Sequence, residues 1–104
     1  LFAISIYESQ ELESPTVVGA KAANELLNIV GIKASFVLTE FQHKIYVSSR
    51  SIDEIDVQQI MERLGGGGHL NVAGAQIENA SVEEVKRRIE DILDIMIDEG
   101  EIKL

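Results

Sequence analysis

Chemistry in this sequence concentrates in one stretch and in one side chain upstream of it. The stretch is Gly65-Gly66-Gly67-Gly68-His69, continuing through Leu70-Asn71-Val72-Ala73-Gly74, and the side chain is Arg50. Half of the chain's eight glycines stand together here. Lacking Cβ atoms, they let the backbone reach φ > 0 and bring its N–H groups against a ligand, at an entropic cost that another interaction must offset. Amides, a guanidinium and an imidazole together suit an anion, above all a phosphate. Arg grips it through two parallel bonds, glycine amides approach closely, and imidazole donates to an oxygen. The candidate binding set is therefore Arg50, Gly65, Gly66, Gly67, Gly68, His69 and Asn71. Two plainer readings compete. A glycine run also serves as a flexible linker, and Arg50 could form an ion pair with Asp53, Glu54 or Asp56; the glycines ending in His69 tip the balance toward binding.

No catalytic machinery is legible beside that set. The two imidazoles, His43 and His69, belong to no HxxxH, HxD or DHH cluster, and dispersed carboxylates make a poor ligand set. Ser48, Ser49 and Ser51 have no base nearby in sequence. The expectation is a binding domain with no catalytic residue and no metal site of its own.

Composition narrows the partners. At 104 residues with 45% hydrophobic content, the chain suits one domain, 1–104, with a real core. A net charge of −9 argues against a surface built to track long nucleic acid, while leaving a small anion in a local pocket open. Cysteine is absent, which excludes disulfides and fits a reducing cytosol. No apolar run approaches the roughly 20 residues of a membrane helix, so no membrane contact by this domain is expected. The chain enters a strand-like segment directly at Leu1 without an initiator Met, as a domain cut from a longer protein would.

The positioning elements follow from periodicity. Phe2, Ile4 and Ile6 alternate as a half-buried strand, followed by an acidic loop over residues 8–13. Ser14-Pro15 opens a helix running to about Val30, with Ala23, Leu26, Leu27 and Val30 on one face and Gly31 as its stop. Ala34 to Thr39 read as a central strand, Phe41 to His43 as a hairpin loop, and Ile45 to Arg50 as a third strand with Tyr46, Ser48 and Arg50 on one shared face. Val57, Ile60, Met61 and Leu64 give a helix of two to three turns leading into the glycines. After His69 a turn or short helical piece precedes a brief strand, Ala75 to Glu78. Ser81 to Glu84 is a capping box opening a last helix striped by Val82, Val85, Ile89, Ile92, Leu93 and Met96, with Glu83/Arg87 and Glu84/Arg88 as exposed ion pairs. The order βαββαβα implies an α+β or α/β two-layer domain with a mixed sheet.

Ser48-Ser49-Arg50-Ser51, the segment Val57 to Leu64, GGGGH and Ala73-Gly74 resemble the DHH-associated C-terminal domain of the DHH phosphoesterases. That superfamily includes RecJ-type exonucleases, nano-RNA phosphatases and cyclic di-AMP phosphodiesterases. The segment SPTVVGAKAANELLNIVGIKASFVL and the spacing from SRS to the glycines look most like the cyclic di-AMP branch, and nearly the whole chain is covered. The resemblance implies an N-terminal DHH catalytic domain of the same chain, holding a pair of manganese ions, over whose cleft this domain binds substrate. It implies substrate contact by Gly66, Gly67, Gly68 and His69 and a phosphate or base contact by Arg50. The substrate would be cyclic di-AMP or its linear dinucleotide, in a cytoplasmic protein whose parent is in some cases membrane-anchored. The alternatives are a nano-RNA phosphatase or RecJ-like exonuclease using the same pocket, and a non-catalytic domain that senses a nucleotide or forms a homodimer through its last helix.

Overall fold

The computed structural model describes residues 2–8, 14–29 and 31–102. Most of the expected acidic loop over residues 8–13, and Val30 at the expected end of the first helix, lie outside them. The chain runs β1 (Phe2–Glu8), α1 (Pro15–Leu26), β2 (Ala34–Phe41), β3 (Lys44–Ser51), α2 (Val57–Arg63), β4 (Gly67–His69), β5 (Val72–Glu78) and α3 (Val82–Asp98). The expected order thus gains one short strand, β4. The sheet is mixed, in the order β1-β2-β3-β5-β4, with β1 parallel to β2 and the remaining pairs antiparallel. The parallel pair needs a crossover, and α1 supplies it.

Alternation along β2 decides how the layers stack. Ala34, Phe36 and Leu38 face one way, into a core shared with Ile45, Val47, Ala75, Ile77, Ile60 and Met61 and closed by Val85, Ile89, Leu93 and Met96 of α3. Ser35, Val37 and Thr39, equally buried, face the other way. There α1 covers β2 and β3 and adds a third layer to the two expected. It sits close because residue 19 is glycine: a Cβ at Gly19 would stand 2.7 Å from Ser48 Oγ and 3.3 Å from Thr39 Oγ1. Ser14 caps the first turn of α1, accepting from the Val17 amide at 3.4 Å.

The helix stops at Leu26, four residues before the expected end. The amides of Asn28 and Ile29 turn back to the carbonyls of Glu25 and Leu26, which tightens the last turn into 3₁₀-type bonds. From the sheet, the buried Ser35 hydroxyl donates to the Ala23 carbonyl at 2.7 Å, satisfying an acceptor that the ended helix leaves open. Farther along, β2 and β3 join through Gln42 and His43, both at positive φ, the backbone of a two-residue hairpin whose twist suits the strands.

Two surface expectations change. Among the described residues the ion pairs are Lys44–Glu78 at 3.3 Å and Arg63–Glu101 at 3.2 Å, and neither Glu83/Arg87 nor Glu84/Arg88 closes. Exposed pairs of this kind are worth so little that solvation readily wins. Of the expected capping box the serine half is present, with Ser81 Oγ accepting from the Glu84 amide at 3.1 Å.

Thr39 offers a test of the α1 packing. Its hydroxyl is fully buried without a hydrogen-bond partner among the described residues. Thr39→Val keeps the shape and removes the orphan group, so stability should hold or rise by about 1 kcal/mol in urea denaturation. A clear loss would show that the hydroxyl has a partner.

Candidate functional site

The glycine run begins as the end of a helix. Asp56 caps the start of α2 by accepting from the Gln59 amide at 3.2 Å. At the other end the chain turns left-handed at Gly65, with φ +88°. The Gly65 amide then donates to the Glu62 carbonyl at 3.0 Å and the Gly66 amide to the Met61 carbonyl at 2.8 Å. This paired cap satisfies two carbonyls that a helix end leaves open. Two of the four amides expected to face a ligand are therefore already engaged within the fold. Gly67 and Gly68 go on into β4, pairing with Gly74 and Ala73 of β5, and His69 pairs with Val72 across a tight turn at Leu70 and Asn71. The stretch is an edge strand rather than a linker, and the turn or helical piece expected after His69 is this hairpin.

The four glycines have different reasons to be glycine. A Cβ on Gly66 would overlap the Gly74 carbonyl and lie 2.7 Å from Ala75 Cα. One on Gly68, whose φ is +146°, would lie 2.6 Å from Ala73 Cα. Glycine in a strand often marks such close backbone approach. Gly67 is otherwise. Its missing Cβ meets nothing within 4 Å and opens onto a cleft of about 600 Å³. Antiparallel alternation also leaves one in two of the β4 amides pointing away from β5 at the free sheet edge.

Register rules the floor of the cleft into three cross-strand rows. Arg50, Val72 and His69 form one row, Ser48, Gly74 and Gly67 the next, and Tyr46 and Gln76 the third. Thr16 and Ala20 of α1 wall the cleft from above β3. The middle row is almost free of side chains, so it forms a trough. This volume suits a small ligand such as a nucleotide.

Arg50 stands at one end of that trough. Its Nε donates to Asn24 Oδ1 at 3.1 Å and one terminal nitrogen donates to the Ser49 carbonyl at 2.7 Å. Among the described residues no carboxylate reaches it, Asp53, Glu54 and Asp56 included. Partial burial lowers the guanidinium pKa from its ordinary value by disfavouring the charge; arginine nonetheless stays protonated in a protein. A desolvated cation held by neutral acceptors is a ready partner for an anion. His69 is exposed across the cleft from it.

Of the sequence candidates, the structure brings Arg50, Gly65 to Gly68 and His69 around the cleft, but not Asn71. The Asn71 amide donates to Ser51 Oγ at 2.9 Å and to the Asp53 carbonyl at 3.3 Å, and Ser51 Oγ donates to the Ile55 carbonyl at 2.6 Å. That network pins the loop between β3 and α2. Asn71→Ala should accordingly cost about 1–2 kcal/mol in denaturant unfolding and leave ligand affinity unchanged. Thr16, Ala20 and Gln76 were missed, since only packing brings α1 and β5 to the cleft. Tyr46 and Ser48 had their signal in the period of two that sets them on the face of Arg50. Among the described residues no group of three His, Asp or Glu is placed to hold a metal ion. Likewise no described helix is long and apolar enough to cross a membrane.

The chain is 40% identical over 86 residues to the cyclic-di-AMP phosphodiesterase PdeA of Listeria monocytogenes, covering 82% of this chain and 13% of that protein. It is 37% identical over 97 residues to the cyclic-di-AMP phosphodiesterase GdpP of Bacillus subtilis, covering 92% of this chain and 15% of that one. The chain thus spans less than a sixth of the length of either relative. Among solved structures, an exopolyphosphatase-related protein from Bacteroides fragilis superposes with a TM-score of 0.66 at 28% identity, over 71% of this chain and 22% of that one. The DHHA1 domain model matches residues 6–99. By that match and these identities, the chain belongs to the DHHA1 domain family.

Proposed function

We propose that this chain is the substrate-binding domain of a phosphodiesterase acting on cyclic di-AMP or its linear dinucleotide. The observation that carries the reading is Arg50, a partly buried cation held by neutral acceptors and facing Gly67 and His69 across a cleft of about 600 Å³. In this reading Arg50 grips a phosphate with its free N–H groups, Gly67 lets the ligand approach the β4 backbone, and His69 donates from the opposite side. The domain's contribution is positioning: it holds the phosphodiester in one orientation, which lowers the barrier without chemistry of its own. Hydrolysis belongs to a DHH domain elsewhere in the same longer chain, where paired manganese ions would supply an activated water. Relatives named for cyclic di-AMP hydrolysis support that substrate, and the charge of −9 disfavours a channel for long nucleic acid.

The test is hydrolysis by the full-length parent with manganese, offered cyclic di-AMP, the linear diadenylate, short RNA and long single-stranded DNA. Cyclic di-AMP or the linear dinucleotide should be turned over most efficiently. Preference for long DNA would reject this reading.

A further inference from the structure

The row of the cleft most distant from Arg50 has no part in gripping phosphate. Tyr46 and Gln76 stand directly opposite each other there, and both line the cleft. Strand geometry puts Tyr46 about 14 Å along β3 from Arg50, four residues at roughly 3.4 Å each. Between them lies the trough of Ser48, Gly74 and Gly67, with room for a sugar. One end of the cleft offers a cation, the middle offers space, and the far end offers an aromatic face beside an amide. Neither the Tyr46 hydroxyl nor the Gln76 amide makes a hydrogen bond to another described residue. Gln76 is exposed and Tyr46 half-buried, so a fold-stabilising role explains neither polar group.

Resting on the phosphate reading above, we infer that Tyr46 and Gln76 form a base-recognition subsite that selects adenine. The phenol ring supplies a stacking platform, which any base can use. The amide supplies the discrimination. Glutamine presents one donor and one acceptor side by side, which matches the N6 donor and N7 acceptor on the edge of adenine that carries N7; the same edge of guanine shows two acceptors, O6 and N7. A carboxylate in the same place would only accept, and would suit the paired donors of guanine at N1 and N2 instead.

The experiment is equilibrium binding of linear diadenylate and diguanylate to the full-length chain without divalent metal, so that nothing is hydrolysed. The unaltered protein should bind the diadenylate at least tenfold more tightly. Gln76→Glu should abolish or reverse that ratio, Tyr46→Ala should weaken both ligands roughly ten- to a hundredfold, and Tyr46→Phe should bind as the unaltered protein does. Melting temperatures report whether each variant is folded, and Gln76 is exposed enough that its variant carries little risk. If both dinucleotides bind equally, Gln76→Glu leaves the ratio unchanged and Arg50→Ala still loses binding, the subsite is overturned while the phosphate reading stands. If neither dinucleotide binds at all, the phosphate reading falls and the subsite falls with it.

Discussion

Gly66→Ala and Gly68→Ala should each destabilise the fold by about 2–4 kcal/mol, whereas Gly67→Ala should leave stability unchanged and weaken nucleotide binding. The three residues are neighbours of the same type, so composition and propensity cannot separate them. Contacts do. Gly66 and Gly68 press against the β5 backbone at Gly74, Ala75 and Ala73, where the atoms in the way belong to a paired strand and cannot swing aside. Gly68 is also held at φ +146°, where an L residue is strained. Against a typical total stability of about 5–15 kcal/mol, either change would remove a large share of the margin that keeps the chain folded. Gly67 has open space where its Cβ would be, and alanine there restricts the unfolded chain by a few tenths of a kcal/mol in favour of folding. The added methyl would project into the cleft from its floor and cost about tenfold in affinity or more. Urea denaturation and nucleotide titration on the same three variants check both halves. If Gly67→Ala bound as tightly as the unaltered protein, the ligand would have to approach elsewhere.

Arg50→Ala is the second large effect, and it should run the other way: affinity for a nucleotide falls about ten- to a hundredfold, while stability changes by no more than about 1 kcal/mol. The side chain's fixed bonds go to exposed Asn24 and to the carbonyl of buried Ser49, both neutral, so removing it leaves no buried charge behind. Arg50→Lys keeps the charge but loses the planar fork, and its affinity should fall between the two. His69→Ala, at an exposed position, should weaken binding with no change in melting temperature. Calorimetric binding and thermal unfolding measured side by side decide the matter. If Arg50→Ala cost as much in folding as in binding, the guanidinium would be a structural strut between β3 and α1.

Much of the architecture is legible in the sequence. Period-two alternation marks β1, β2 and β3, and the three- and four-residue stripe of α3 is buried as read, at Val85, Ile89, Leu93 and Met96. Local signals of this kind reflect burial of one face, which the sequence records directly. The first helix was harder. Its apolar residues continue past Leu26, but of its described face only Ala23 is fully buried, together with Gly19, which carries no hydrophobic signal at all. Close packing against Ser48 and Thr39 requires glycine at position 19, and packing is invisible to periodicity.

The candidate site divides along the same line. Residue types alone pointed to a phosphate-binding group at Arg50, the glycines and His69, because guanidinium, amide and imidazole chemistry does not depend on the fold. Tertiary structure alone decided that Gly65 and Gly66 close a helix, that Gly67 and Gly68 form an edge strand, and that Asn71 braces a loop. Four identical residues without side chains have no pattern to read, so their roles come from which backbone lies against them. The facing rows of β3, β5 and β4, and the wall of α1 above them, join residues up to about sixty positions apart in the chain. Distances of that kind are set by strand register, which is a property of paired backbones and not of any one segment.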